Sequence, residues 1–96
     1  MSAHNLSHVQ FKDSMSANEI RNSVSTAPGK ENTSKLSEEA YKSGLGGKIK
    51  RDWVQNPLTI WHRDGKATLA DGHHRLAVAE GIDPNRPIPV RHQYRS

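Results

Sequence analysis

The sequence has no cysteine among its 96 residues, which excludes disulfide bonds and every form of thiol chemistry. A small secreted domain held together by disulfides is therefore not indicated, and we expect an intracellular protein. The chain also lacks any run of about 18 apolar residues that would predict a membrane span. Its first 25 residues are polar and contain no apolar stretch typical of a secretory signal. We therefore expect a soluble protein with no membrane partner.

Large hydrophobic side chains are scarce as well, because hydrophobic residues make up 32% of the chain and Phe occurs once. This composition can enclose only one small core, so we predict a single domain of marginal stability. The net charge is +4, and the second half of the chain carries most of the excess, with eight Lys or Arg against five Asp or Glu. Such a balance favours anionic partners, nucleic acid first, although ordinary solvated surfaces also carry it.

Residues 1–35 are rich in Ser and Asn, and we expect them to form a mobile arm and linker in front of a folded domain at residues 36–96. Residues 17–22 are compatible with a helical turn. The segment "STAPGKENTSK" reads as a linker, because its Pro and Gly break regular structure and the rest is polar. The arm is a candidate for binding a protein partner.

The sequence predicts regular structure from Leu36 onward. Ser37 is expected to cap a helix whose first turn carries Glu38 and Glu39, where the helix dipole favours acidic side chains. The glycines at positions 44, 46 and 47 disfavour a continuous helix, so this segment is predicted to form one helix with a break or two short helices.

A β-hairpin is predicted next, because β-prone residues 58–62 and 67–70 flank an Asp-Gly turn. A helix over residues 73–80 follows, ended by Gly81, and the segment "RPIPVRHQY" predicts a last strand. The order helix, hairpin, helix, strand predicts an α+β domain with a small mixed sheet and short helices.

The segment "LADGHHRLAVAEG" places three cationic or potentially cationic side chains at the start of the helix predicted over residues 73–80. Asp71 is expected to cap this helix by accepting from the amides of His73 and His74, and Gly72 permits a sharp turn from strand to helix. A helix N-terminus disfavours cations unless an anion lies among them. Gly72, His73, His74 and Arg75 therefore predict a phosphate-binding turn.

Two other interpretations of this turn remain open. The histidines are simple surface residues in one of them, and Arg75 pairs with Asp71 or Glu80. A metal site built from His62, His73, His74 and Asp71 is the other, but no CxxC or HxxxH spacing supports it, so no metal is predicted. The sequence also contains no nucleophile elbow and no paired-carboxylate pattern, so no catalytic residue is predicted.

The second half of the chain resembles the core of the ParB/sulfiredoxin-like superfamily over residues 36–94. The resemblance rests on "LADGHHRLAVAEGID", on "IPVRHQ" and on the apolar positions of the preceding helix and hairpin. In that superfamily a helix leads into a hairpin, then into a G-x-x-R phosphate-binding turn at a helix start, and then into an "IPV" strand. The resemblance therefore implies a ParB-like fold with its phosphate site at the Gly72 turn.

Gly72 and Arg75 match the glycine and one arginine with which ParB partition proteins hold nucleotide phosphates. His73 and His74 replace the family's Glu and first Arg, and Ala77 stands where a further Arg is usual, which implies weaker or altered nucleotide contacts. The turn also resembles that of sulfiredoxin, but His73 occupies the position of its cysteine. Sulfinic-acid reduction is therefore excluded.

The resemblance leads to two functional hypotheses. The first is a nucleotide- or nucleic-acid-phosphate-binding module of a phage or mobile element, with weak NTPase or nuclease activity left open and with CTP or ATP plus Mg²⁺ as candidate ligands. No helix-turn-helix domain is present, so contact with nucleic acid is expected to be non-specific. No metal-binding carboxylate cluster supports cleavage.

The second hypothesis is a non-enzymatic interaction or virion-associated protein that keeps the ParB-like fold, with its N-terminal arm ordering on a protein partner. The host cytoplasm is the expected location under the first hypothesis, and the virion is an additional location under the second.

Overall fold

One mixed sheet of four strands, two of which form a hairpin, and four helices make up the part of the chain that the structure describes. The structure is a computed structural model, and it describes residues 13–94. The elements in chain order are β1 (Ser14–Met15), α1 (Ala17–Ser23), α2 (Thr33–Lys42), α3 (Leu45–Asp52), β2 (Leu58–Arg63), β3 (Lys66–Asp71), α4 (His73–Ile82) and β4 (Ile88–Tyr94). The α+β class and the order helix, hairpin, helix, strand after residue 36 confirm the prediction from the sequence.

The four strands form one sheet in the order β1, β4, β2, β3. β2 and β3 pair antiparallel as the predicted hairpin, and β4 lies parallel to β2 on its other side. β1 completes the sheet antiparallel to β4. The sheet is therefore mixed, as predicted, and α4 forms the connection that carries the chain from β3 back to β4.

The hairpin turn consists of Asp64 and Gly65, which both have positive φ, at 52° and 77°. Two such residues form the tight turn that matches the right-handed twist of paired strands, and Asp-Gly is among its preferred sequences. The turn places Arg63 directly opposite Lys66. The predicted Asp-Gly hairpin is confirmed.

The core lies between one face of the sheet and the helices. Side chains along β2 alternate between buried and exposed, so that Leu58 and Ile60 face the core. The α4 helix packs against α2, α3 and β2, and Leu76 and Val78 are almost fully buried in it. The core contains Met15, Ala17, Ile20, Val24, Ala40, Ile49, Trp53, Val54, Leu58, Ile60, Leu69, Leu76, Val78, Ala79, Ile88 and Val90.

The core begins before Leu36, so the predicted domain boundary is wrong. Met15, Ile20 and Val24 are buried, and α1 has a complete capping box in which Ser16 and Glu19 bond each other's backbone amides. The α1 helix includes the helical turn expected at residues 17–22. Residues 1–12 of the predicted arm lie outside the described residues.

The segment read as a linker also makes defined contacts. The Ser25 amide donates to the carbonyl of Ala67 at 2.9 Å, and the Leu69 amide donates to the carbonyl of Ser25 at 2.9 Å. Asn32 caps α2 by accepting from the Lys35 amide at 3.0 Å. The predicted cap at Ser37 is therefore wrong, because the N-cap is Asn32, five residues earlier, and α2 begins at Thr33.

The two helix ends marked by glycine behave differently. Gly44, with φ of 90°, separates α2 from α3, which confirms the predicted break. Gly81 lies inside α4, whose last residue is Ile82 and whose C-cap is Asp83. The prediction that Gly81 ends the helix is therefore wrong. Within residues 13–94, no helix combines the length and the apolar composition that crossing a bilayer requires.

Candidate functional site

The turn from β3 into α4 is built on Gly72. Its φ is 102°, a conformation that residues with a side chain rarely adopt. A Cβ at this position would also overlap the side chain of Leu58, because the turn passes directly over the first residue of β2. Glycine is therefore required twice, once by the backbone conformation and once by the close approach to Leu58.

Among residues 13–94, no side chain caps the N-terminus of α4. Gly72 is the N-cap residue and has no side chain to accept from the first amides of the helix. The predicted cap by Asp71 is wrong: its carboxylate accepts instead from Nη2 of Arg75 at 3.0 Å. The amides of His73 and His74 belong to the first turn, where no intrahelical acceptor is available. The helix therefore begins with free donors and a partial positive charge.

Arg75 is held by the protein itself. Its Nη1 donates to the carbonyls of Asn56 and Pro57 at 2.8 and 3.0 Å, and its Nη2 donates to Asp71. Only 16% of the side chain is exposed. This matches the interpretation in which Arg75 pairs with Asp71. The guanidinium joins α4 to the loop before β2, and its Nη atoms already donate to protein acceptors.

His73 turns its ring inward. Its Nε2 is buried and has no hydrogen-bond partner among residues 13–94. Burial lowers the pKa of His73, and the nearby charge of Lys30 lowers this pKa further, whereas Asp71 opposes both effects. Burial therefore favours the neutral form of the imidazole. His73 contributes its amide to the turn, and not the positive charge that the sequence suggested.

His74 points toward α2. Its Nε2 lies 3.0 Å from Oε1 of Glu39, and this hydrogen bond lowers the pKa of the Glu39 carboxyl. The side chain of His74 therefore already has an anionic partner, the carboxylate of Glu39, in the place where a phosphate would have to bind it. The ring joins α4 to α2 and faces a carboxylate of this chain.

A cavity of about 410 Å³ opens in front of the Gly72 turn. Its volume lies within the range of small-ligand sites. The predicted residues Gly72, His73, His74 and Arg75 all line it. The remaining lining residues are Ala27, Pro28, Lys30, Leu45, Ala70 and Asp71. The structure thus brings the predicted turn residues together at one cavity.

Lys30 is a cation lining this cavity that the sequence did not predict. It is exposed, and no ion pair joins it to a carboxylate among residues 13–94. It follows the Pro28-Gly29 turn, which carries it to the mouth of the cavity beside the start of α4. The only signal in the sequence was a lysine directly after Pro-Gly, in a segment that composition assigns to a linker.

The candidate metal ligands do not come together. His62 lies on β2, where its Nε2 is 2.8 Å from Nδ1 of His92 and its ring stacks on Tyr94. His73 and Asp71 lie at the opposite end of the hairpin strands, by the Gly72 turn. In the described part of the chain, no group of three His, Cys, Asp or Glu side chains is arranged to hold a metal ion.

No protein-family model, no curated protein and no solved structure matches this chain.

Proposed function

We propose that the chain is a ParB-like phosphate-binding module whose ligand is a nucleotide or a nucleic-acid phosphate, in the phage or mobile-element setting that the resemblance implies. One observation carries the proposal: the uncapped N-terminus of α4 opens onto a cavity of about 410 Å³ that also holds the exposed cation Lys30. Free amides, a helix dipole and a cation are what an anion requires.

The roles of the turn residues follow from their contacts. The amides of His73 and His74 donate to phosphate oxygens, and the ammonium of Lys30 supplies the charge. Gly72 keeps the backbone open to the ligand. Arg75 is a positioning residue, because its guanidinium holds the turn in place through Asp71 and the carbonyls before β2. The proposal assigns binding and no catalytic residue.

Thermal unfolding with added ligands tests this function. CTP, ATP, GTP and pyrophosphate are compared, each with and without Mg²⁺. A ligand present at about a hundred times its dissociation constant stabilises the protein by roughly 2.7 kcal/mol. Lys30→Gln is expected to weaken binding by about tenfold, because it removes a charge-assisted contact.

Lys50→Gln is the matched control, because Lys50 is an exposed lysine on α3 that does not line the cavity. The control should bind as the wild type does. Binding of a free nucleotide is excluded if none of the four compounds stabilises the wild type, and the role of Lys30 is excluded if both lysine variants lose the same affinity.

A second function is supported by the state of Arg75. An arginine whose Nη atoms donate to Asp71 and to two carbonyls fits a protein that keeps the ParB-like fold for interaction and binds no nucleotide. Under this alternative no compound in the ligand series stabilises the protein, and the side chains of the turn matter for folding alone. The same series therefore separates the two functions.

A further inference from the structure

The outer face of the sheet, opposite the core, carries an exposed tryptophan. Side chains alternate along β2, so that Ile60 is buried while Trp61 and Arg63 face outward. Trp61 keeps 42% of its surface exposed. Its indole Nε1 donates to Oε1 of Gln93 on the neighbouring strand at 3.0 Å, which fixes the orientation of the ring. The chain thus presents an aromatic ring in a defined position on its surface.

Three cations lie around this ring. Arg63 and Lys66 face each other across the hairpin beside the turn, and Arg91 is exposed on β4 next to Thr59. Asp64 is the acidic neighbour, and its carboxylate is 3.9 Å from Nε of Arg63. Within residues 13–94, neither Lys66 nor Arg91 forms an ion pair with a carboxylate. The charges of the face therefore sum to a positive excess.

The surface next to the ring is concave. Trp61, Arg63, Asp64, Lys66 and Thr68 line a depression of about 390 Å³. We call this depression, together with Arg91 and Gln93, the Trp61 face. It combines an oriented aromatic ring with cations on both sides of it.

We propose that the Trp61 face binds single-stranded nucleic acid. One base stacks on the indole of Trp61, and the phosphates of the same strand pair with Arg63, Lys66 and Arg91. Stacking accepts any base, because each base has a π face, and the cations follow a backbone of regular negative charge. A duplex keeps its base faces covered and cannot use the ring.

The Trp61 face is separate from the phosphate site at the Gly72 turn. Lys66 is the first residue of β3 and Asp71 is the last, and five residues of strand span about 17 Å. Arg91 lies nearer to Asp71, because Thr59 on β2 pairs with both residues, but Arg91 does not line the cavity at the Gly72 turn. Lys30 and α4 contribute nothing to the lining of the Trp61 face. The inference therefore does not rest on the proposed function, and each can fail alone.

Quenching of tryptophan fluorescence by a 12-nucleotide oligo-dT measures this binding on the full chain. The chain has two Trp residues, and Trp53 is 8% exposed, so stacking on Trp61 dominates the signal. Binding of the Trp61 variants is measured by the fluorescence anisotropy of a labelled oligonucleotide, because these variants lack the quenched tryptophan. Trp61→Ala is expected to weaken binding by about tenfold or more, whereas Trp61→Phe keeps most of the affinity. Arg63→Gln combined with Lys66→Gln should lower the slope of log K against log salt by about 1.4.

The control exchanges two lysines on α3, Lys48→Gln with Lys50→Gln, which removes the same charge from outside the Trp61 face. This control should change the slope of log K against log salt less than the double variant at Arg63 and Lys66 does. Trp61→Ala should keep any stabilisation by nucleotides, because Trp61 does not line the cavity at the Gly72 turn.

Three results would overturn the inference. One is equal affinity for oligo-dT and for a duplex of the same length. Another is unchanged affinity in Trp61→Ala with thermal unfolding and circular dichroism like the wild type. The third is equally tight, Trp61-dependent binding of polyglutamate, which would assign the face to an acidic protein.

Discussion

Arg75 donates to the carboxylate of Asp71, four residues earlier in the chain, at 3.0 Å, across the Gly72 turn. The same guanidinium donates to the carbonyls of Asn56 and Pro57. One side chain therefore joins the end of β3, the start of α4 and the loop before β2. The geometry of the candidate phosphate site depends on this clamp, although the ligand itself would meet other groups.

Arg75→Ala is expected to destabilise the unliganded protein by about 1–3 kcal/mol, because it leaves the acceptors around a mostly covered side chain without their donor. Urea unfolding followed by circular dichroism measures the change. Arg51→Ala is the control, since Arg51 forms an exposed pair with its neighbour Asp52, and surface pairs contribute about 0–1 kcal/mol. Equal, small effects of the two variants would show that the clamp does not stabilise the turn.

Gly72→Ala is expected to destabilise the protein by about 1–3 kcal/mol, because alanine is strained at a φ of 102° and its Cβ overlaps Leu58. Gly47→Ala provides the opposite case within the same chain. Gly47 lies in α3 with no atom near an added Cβ, so alanine should stabilise by about 0.5–1 kcal/mol. Chemical unfolding of both variants decides the sign, and a neutral Gly72→Ala would contradict the argument.

The hairpin and the turn were readable from the sequence because local chemistry determines them. Asp64-Gly65 supplies the positive φ values of a tight turn, and Gly72 supplies the strand-to-helix turn, whatever packs around them. Short apolar runs then fix which residues face the core. These features let the sequence predict the α+β order and the four turn residues, 72–75, that line part of the cavity.

The remaining features depend on contacts between residues distant in sequence. Nothing local reveals that Arg75 reaches the carbonyl of Asn56, that His74 meets Glu39, or that Lys30 lies in front of the turn. The hydrophobic residues among positions 14–24 are too widely spaced to form a recognisable helix or strand pattern. Their burial therefore follows from the fold and not from the local sequence. The prediction of a capping Asp71 failed because Arg75 takes its carboxylate.

The free energy of unfolding is expected to fall as the pH drops from 7.5 to 5.5. Burial, and then the charge of His92, lowers the pKa of His62 in the folded protein, and burial lowers the pKa of His73 in the same direction. The unfolded chain, with an ordinary histidine pKa of about 6.5, then binds more protons than the folded one. The two neutral rings therefore contribute their full share of the free energy of unfolding above about pH 6.5, and this share is lost as the pH falls below that value and through the lower pKa values of the folded state.

His62→Gln should flatten this pH dependence, because glutamine does not titrate. Urea unfolding at several pH values measures the slope. An identical slope in the variant and the wild type would mean that protonation of His62 does not oppose folding. Keeping the pH above about 5 limits the contribution of carboxyl groups.

The last prediction concerns the boundary of the domain. Ile20 on α1 is 1% exposed and belongs to the core, so Ile20→Ala is expected to cost about 2–4 kcal/mol through lost burial and a cavity. Ile82, at the end of α4, is 38% exposed, so Ile82→Ala should cost less than about 1 kcal/mol. Both variants replace the same side chain, so their difference measures burial alone. If residues 1–35 were a mobile arm, Ile20→Ala would leave the urea midpoint unchanged and Ile82→Ala would have the larger effect.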